Sequence, residues 1–203
     1  MRRTIGLTLV LLCAGVVALT GCSSPLAAPR TTVVIGAVDT PLGRVVAAIY
    51  QGALSHTGIK VSAKSPGGTE SQLMDRLASG NVDLLAGFSG ELLHLLVPQS
   101  TAVSSDDVYK ELNRALPQGV YAGDLTTVSR DGLAGKPTND ADVAQILVPL
   151  YRGAVMPKKS IVGMNNVAGE LNSTDLAALV DSVERGQQTV SDAAAGWLVE
   201  HGL

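Results

Sequence analysis

Gly87-Phe88-Ser89-Gly90-Glu91 sets a serine between glycines in the manner of a nucleophile elbow, but Glu91 stands where the closing glycine belongs. Serine chemistry also needs a base, and His56, His94 and His201 are scattered, with no acidic partner implied by spacing. They read as surface or helix-end residues. Gly135-Lys136-Pro137 is not a phosphate loop, since Arg130 replaces the upstream glycine and Pro137 the hydroxyl residue that would reach magnesium. No histidine or carboxylate pair has metal-ligand spacing such as His-x-x-x-His, so no metal or cofactor is expected. What remains suits binding rather than turnover. Gly67-Gly68-Thr69 at a helix start can offer backbone N–H groups and a positive dipole end to an anion, or serve only as turn and N-cap. Asp39-Thr40 forms an equivalent turn with the same two uses, and Phe88 offers either an aromatic face or core packing.

A different chemistry attaches to Cys22. Arg2-Arg3 precedes a charge-free, mostly apolar run over residues 5–19, and Leu19-Thr20-Gly21-Cys22 closes it with small residues. The run is shorter than the roughly 20 residues that cross a bilayer comfortably. The pattern strongly resembles the export signal of bacterial lipoproteins. That resemblance implies removal of residues 1–21, acylation of Cys22 and tethering to the extracytoplasmic face of a membrane. Cys13 lies in the discarded part and Cys22 is consumed, so no thiol is left for a disulfide or a nucleophile. Loss of Arg2 and Arg3 from 15 basic residues leaves 13 against 18 acidic ones, a formal charge of −5, which disfavours nucleic-acid partners.

The residues that could bind something must be positioned by the rest of the chain, about 180 residues once the signal is gone, enough for one domain with a proper core. Residues 22–30, rich in Ser, Pro and Ala, read as a flexible spacer. Residues 31–36 suit a buried parallel strand, after which Asp39 or Thr40 caps a helix reaching His56. A strand over 60–64, a helix over 70–78, a strand over 82–85 and a helix over 91–96 follow, then an amphipathic segment over 106–116. Residues 121–142 are indecisive. An apolar run covers 143–150, and two closing helices begin at Ser173 or Thr174 and at Ser191. Strand and helix alternate, which predicts a mostly parallel sheet with helices on its faces. The turns at Asp39-Thr40, Gly67 to Thr69 and Phe88-Ser89 then fall at strand carboxyl ends, where open α/β sheets place ligands.

Three stretches in order resemble the substrate-binding proteins of osmoprotectant ABC importers, which take quaternary amines such as glycine betaine, choline and carnitine. They are Val33-Val34-Ile35-Gly36-Ala37-Val38-Asp39-Thr40; Gly67-Gly68-Thr69-Glu70 with Leu77-Ala78-Ser79-Gly80-Asn81-Val82-Asp83-Leu84 and Phe88-Ser89-Gly90-Glu91-Leu92-Leu93; and Ala144-Gln145-Ile146-Leu147-Val148-Pro149-Leu150 with the terminal segment around Trp197. The resemblance implies a type II periplasmic-binding-protein-like fold, no enzymatic activity, a permease partner and a small cationic ligand. It implies that Phe88 is a cage aromatic and that Gln145 lies near another cage position.

A quaternary ammonium has no N–H to donate and is held over aromatic faces instead, yet the chain has only Tyr50, Phe88, Tyr109, Tyr121, Tyr151 and Trp197 to draw on. Family members have two lobes, and the second is inserted where this chain has only a short polar linker. A lobe with its own core needs on the order of 50 residues. The expected organisation is therefore a signal over 1–21, a spacer over 22–30 and one α/β lobe over 31–203, with 105–142 a vestige of the second lobe. Such a lobe would contribute the candidate ligand contacts Asp39, Thr40, Gly67, Gly68, Thr69, Phe88, Ser89 and Gln145 as half of a cleft. Ligand binding would be weak or lost, and the alternative role is an envelope lipoprotein acting as a protein-interaction module. Cys22→Ser is expected to abolish lipidation, leaving the protein unprocessed or released; metabolic labelling with a fatty acid reads this, and equal label in variant and parent overturns it.

Overall fold

The apolar run that opens the domain forms two short strands, β1 (Thr32–Val33) and β2 (Ile35–Val38), and the helix expected after it is α1 (Pro41–His56). Thr40 caps α1 by accepting from the Gly43 N–H at 3.0 Å, and Pro41 sits in the first turn, where its missing N–H is not needed. The chain continues through β3 (Lys60–Val61), β4 (Gly67–Gly68), α2 (Glu70–Ser79), β5 (Leu84–Phe88), α3 (Ser89–Leu96), α4 (Ser105–Ala115) and β6 (Val120–Ala122). It ends with α5 (Arg130–Leu133), β7 (Leu147–Arg152), α6 (Lys158–Glu170), α7 (Ser173–Glu184) and α8 (Val190–Glu200). This computed structural model describes residues 32–136 and 142–203. The expected export signal, the expected acylation site Cys22 and the expected spacer lie outside the described residues, as does part of the 105–142 stretch.

The main sheet runs β4-β2-β5-β7-β6, with β1 and β3 as a separate parallel pair. β4, β2 and β5 are parallel, as expected, whereas β7 is antiparallel to β5 and β6 antiparallel to β7. Alternation along the strands sends side chains into two cores. Ile35, Ala37, Leu84 and Phe88 meet Ile49, Tyr50, Met164, Leu176 and Trp197 on one face. Leu85, Val148 and Leu150 meet Leu73, Leu77, Leu92 and Leu112 on the other. Each fully buried Leu or Ile stabilises the fold by about 1.5–3 kcal/mol, so both helical layers are held mainly through the sheet. Val108 and Leu112 of α4 join the same core as Leu92 and Leu93 of α3. Among the described residues no helix is long and apolar enough to cross a membrane.

Several expectations shift. The third strand lies two to three residues later than expected, at Leu84–Phe88, and the helix caps are Asn172 and Thr189, one and two residues early. α6 is not foreseen at all. Gly163, Asn165, Asn166 and Gly169 weaken its local helix preference and no side chain caps it at Pro157, so it is the burial of Met164, Val167 and Ala168 that makes it a helix.

One fully buried carboxylate joins three strands. Asp83 accepts from the Val34 N–H at 2.9 Å, in the gap between β1 and β2, and its own N–H donates to the Val34 carbonyl at 2.7 Å. The Asp83 carbonyl accepts from the Arg152 N–H at 2.9 Å at the end of β7, and the Arg152 guanidinium lies 3.6 Å from its carboxylate. Gly80, the C-cap of α2 at φ +77°, makes room for that guanidinium: a Cβ there would collide with Nη1. Asp83→Ala leaves the Val34 N–H unpaired and the arginine without its anion. The expected loss of stability is about 2–4 kcal/mol by chemical denaturation.

Candidate functional site

Because β4, β2 and β5 are parallel, their carboxyl ends open at one edge of the sheet, where α1, α2 and α3 begin. β7 runs the other way, and its first residue, Leu147, faces Phe88 across the ladder. Just before β7 the chain lies antiparallel to residues 126–130. The Leu147 N–H donates to the Val128 carbonyl at 2.9 Å, the Arg130 N–H donates to the Gln145 carbonyl at 3.0 Å, and Ser129 bridges Ile146. This register sets Arg130 over Phe88, with its guanidinium carbon 4.1 Å from the ring centroid. Its Nη2 also lies 2.5 Å from the Glu91 carboxylate. The ring thus packs into the core, at 3% exposure, while one face holds a cation.

Beneath Arg130 lies a cavity of about 100 Å3, lined by Thr40, Leu42, Val46, Glu70, Phe88 and Arg130 among others. A larger hollow of about 530 Å3 adjoins it, lined in part by Thr69, Glu70, Glu91, Leu95, Val143 and Gln145. Glu70 and Glu91 border both. Burial pushes the Glu70 carboxyl up from the ordinary 4.5 to about 7; the negative charge of Glu91 and a hydrogen bond with it add to the rise, against the pull of Arg130 and of a hydrogen bond with the Phe88 backbone. Gly87 leaves room for this carboxylate, which a Cβ would strike.

The candidate residues divide among these spaces. Thr40 and Phe88 share the small cavity, while Thr69 and Gln145 border the larger one. Asp39 and Gly67 border a third depression beside Arg44, and Gly68 is buried in β4. The Thr69 hydroxyl accepts from the Gln72 N–H at 3.3 Å while the Thr69 N–H donates to Gln72 Oε1 at 3.0 Å, a capping box. Ser89 is buried, its hydroxyl accepting from the Ile146 N–H and donating to the Ala144 carbonyl, both at 3.2 Å. Gln145 Oε1 accepts from the Glu91 N–H at 3.1 Å and so closes the start of α3.

Glu70, Glu91 and Arg130 are the residues at this mouth that the sequence reading passed over. Both glutamates are first-turn acids of helices that begin at the expected turns, a usable signal. Arg130 carries none, since only the antiparallel crossing brings it to Phe88.

The sequence model of the substrate-binding domain of ABC-type glycine betaine transport systems (OpuAC) matches residues 31–151, more than half of the chain. The protein belongs to this family. It is a family of transporter substrate-binding proteins rather than enzymes. Among solved structures the chain is similar to apo YehZ from Escherichia coli, with a TM-score of 0.73 at 10% identity over 85% of this chain and 99% of that one. It is also similar to a glycine betaine/carnitine/choline ABC transporter structure, with a TM-score of 0.71 at 8% identity over 84% and 98%. At such identities the likeness is one of fold, a periplasmic-binding-protein-like α/β domain rich in parallel strands. No curated protein matches the sequence.

Between its ordinary and raised pKa values, Glu70 keeps in the folded state a proton that the unfolded chain has released, so stability falls as pH rises from about 5 through 7. Glu70→Gln is expected to remove that slope. The variant gains on the parent by on the order of 1–3 kcal/mol at pH 8 and by little at pH 5, read from denaturation curves at the two pH values.

Proposed function

We propose that the protein is the lipid-anchored substrate-binding component of an ABC importer for quaternary amines, working as one lobe of a cleft and binding weakly by itself. The observation that carries this is the Phe88 ring with a cation stacked on it, at the carboxyl ends of the parallel strands in a chain of the glycine betaine transport family. Cation–π attraction is the force available for a ligand that cannot donate N–H hydrogen bonds.

In this proposal residues 1–21 are the export signal and Cys22 carries the lipid that holds the domain at the extracytoplasmic face, near a permease. Residues 31–203 form a single lobe with 105–142 as the remnant of a second. The packing of α4 into the same core as α3 supports a single lobe, because Val108 and Leu112 are spent on it. One lobe walls a ligand on one side only, whereas a pre-formed pocket buries roughly 70% or more of it.

Calorimetry with glycine betaine and choline tests the proposal, using the full chain purified in non-ionic detergent. Binding is expected no tighter than the high micromolar range, and Phe88→Ala is expected to weaken it by a factor of roughly 2 to 30. Sub-micromolar binding by a monomer overturns the single-lobe proposal, and tight binding that survives Phe88→Ala overturns the site.

A further inference from the structure

The cation on Phe88 belongs to the protein itself. Arg130 extends from α5 over the ring and is clamped from the side by Glu91, so the position a ligand's ammonium would take is filled by the chain's own guanidinium. With Arg130 in place the space beneath is only about 100 Å3, well short of the roughly 300 Å3 at which ligand pockets begin. Its side chain is nevertheless 49% exposed, and an exposed ion pair holds its partners weakly. It can swing into water without unpacking the core.

Once it does, the titratable side chains left among the described residues lining the cavity are two carboxyls, of which Glu70 holds its proton up to about pH 7. Glu70 and Glu91 face the vacated position, and the helix starts that might hold an anion there are already capped within the chain. Thr40 caps α1, the Thr69–Gln72 capping box closes α2, and Gln145 takes the Glu91 N–H at the start of α3. A carboxylate on the ligand would meet the charge of Glu91 and find the capping N–H group of each helix start already taken.

Resting on the function proposed above, we infer that Arg130 is an intramolecular competitor for the cation position on Phe88, and that Glu70 and Glu91 select an incoming cation that carries no carboxylate. A ligand binds by exchange with the guanidinium, so its apparent affinity is lowered by the fraction of molecules in which Arg130 is home. Removing the guanidinium raises affinity, and the choice between a simple ammonium and a zwitterion is made by the two glutamates.

Calorimetry on the full chain in non-ionic detergent tests this with tetramethylammonium, choline and glycine betaine. Arg130→Ala is expected to bind the first two about tenfold or more tighter than the parent, and to prefer choline over glycine betaine by about tenfold or more. Arg130→Gln, which keeps part of the stem over the ring, is expected to show the same gain. Glu91→Gln in the Arg130→Ala background is expected to narrow the choline preference by about threefold or more. If the parent binds choline and neither Arg130 variant binds it more tightly, the competitor is overturned while the importer function stands. If Arg130→Ala takes glycine betaine as readily as choline, selection by the glutamates is overturned. Absence of binding to every probe in parent and variants, all folded by circular dichroism, overturns both this inference and the function on which it rests.

Discussion

The buried carboxylate of Asp83 is the point from which the sheet is assembled. A parallel sheet needs its strands aligned before the helices can cover them, and here the alignment at the entry of β5 is made by one residue. Its side chain takes the Val34 N–H at the gap between β1 and β2, its backbone pairs with Val34 and Arg152, and the arginine answers its charge. Removing two charges together often costs a protein little, whereas removing one strands the other. The register of β2, β5 and β7 follows from this cluster, and that register puts Leu147 opposite Phe88 at the far end of the same ladder. The geometry of the mouth is therefore decided a strand's length away, beside Gly80.

At the mouth itself the electrostatics are arranged around a shortage. Among the described residues Phe88 supplies the only aromatic face lining the small cavity, and burial, reinforced by the charge of Glu91, lets Glu70 keep its proton up to about pH 7. A guanidinium relieves both conditions at once, stacking on the ring and pairing with Glu91. Folding alone makes this arrangement tolerable. What these groups need is positive charge and a flat contact rather than arginine as such.

Much of the positioning was legible because it is local. Thr40 and Thr69 announce helix starts through the chemistry of the cap, and strand-to-helix alternation announces the layered sheet. Phe88 was legible as a mouth residue because it follows the apolar strand expected over 82–85 and matches a cage aromatic of the resembled family, although the strand itself runs on to Phe88. The direction of β7 was not, since a period of two carries no polarity, and α6 was not, since its glycines and asparagines hide a helix that tertiary burial enforces. Arg130 escaped for a related reason. Its meaning lies in a partner distant in sequence, and the crossing that joins them is made by backbone hydrogen bonds to which any side chain would conform.

That crossing also defines a splice point. Ser129 and Ile146 stand opposite each other directly beside the ring, and the Arg130 N–H is fastened to the Gln145 carbonyl, so a segment of any length placed beyond them is gripped at both ends by one pair of backbones. The entropy of closing such a loop grows only slowly with its length. A self-folding cargo grafted there would be geared to the position of a single side chain, and a fluorescent barrel chosen as the cargo would turn the displacement of that side chain into a change of brightness. The domain carries, in its own hydrogen-bond pattern, the socket for an optical gauge of where that side chain lies.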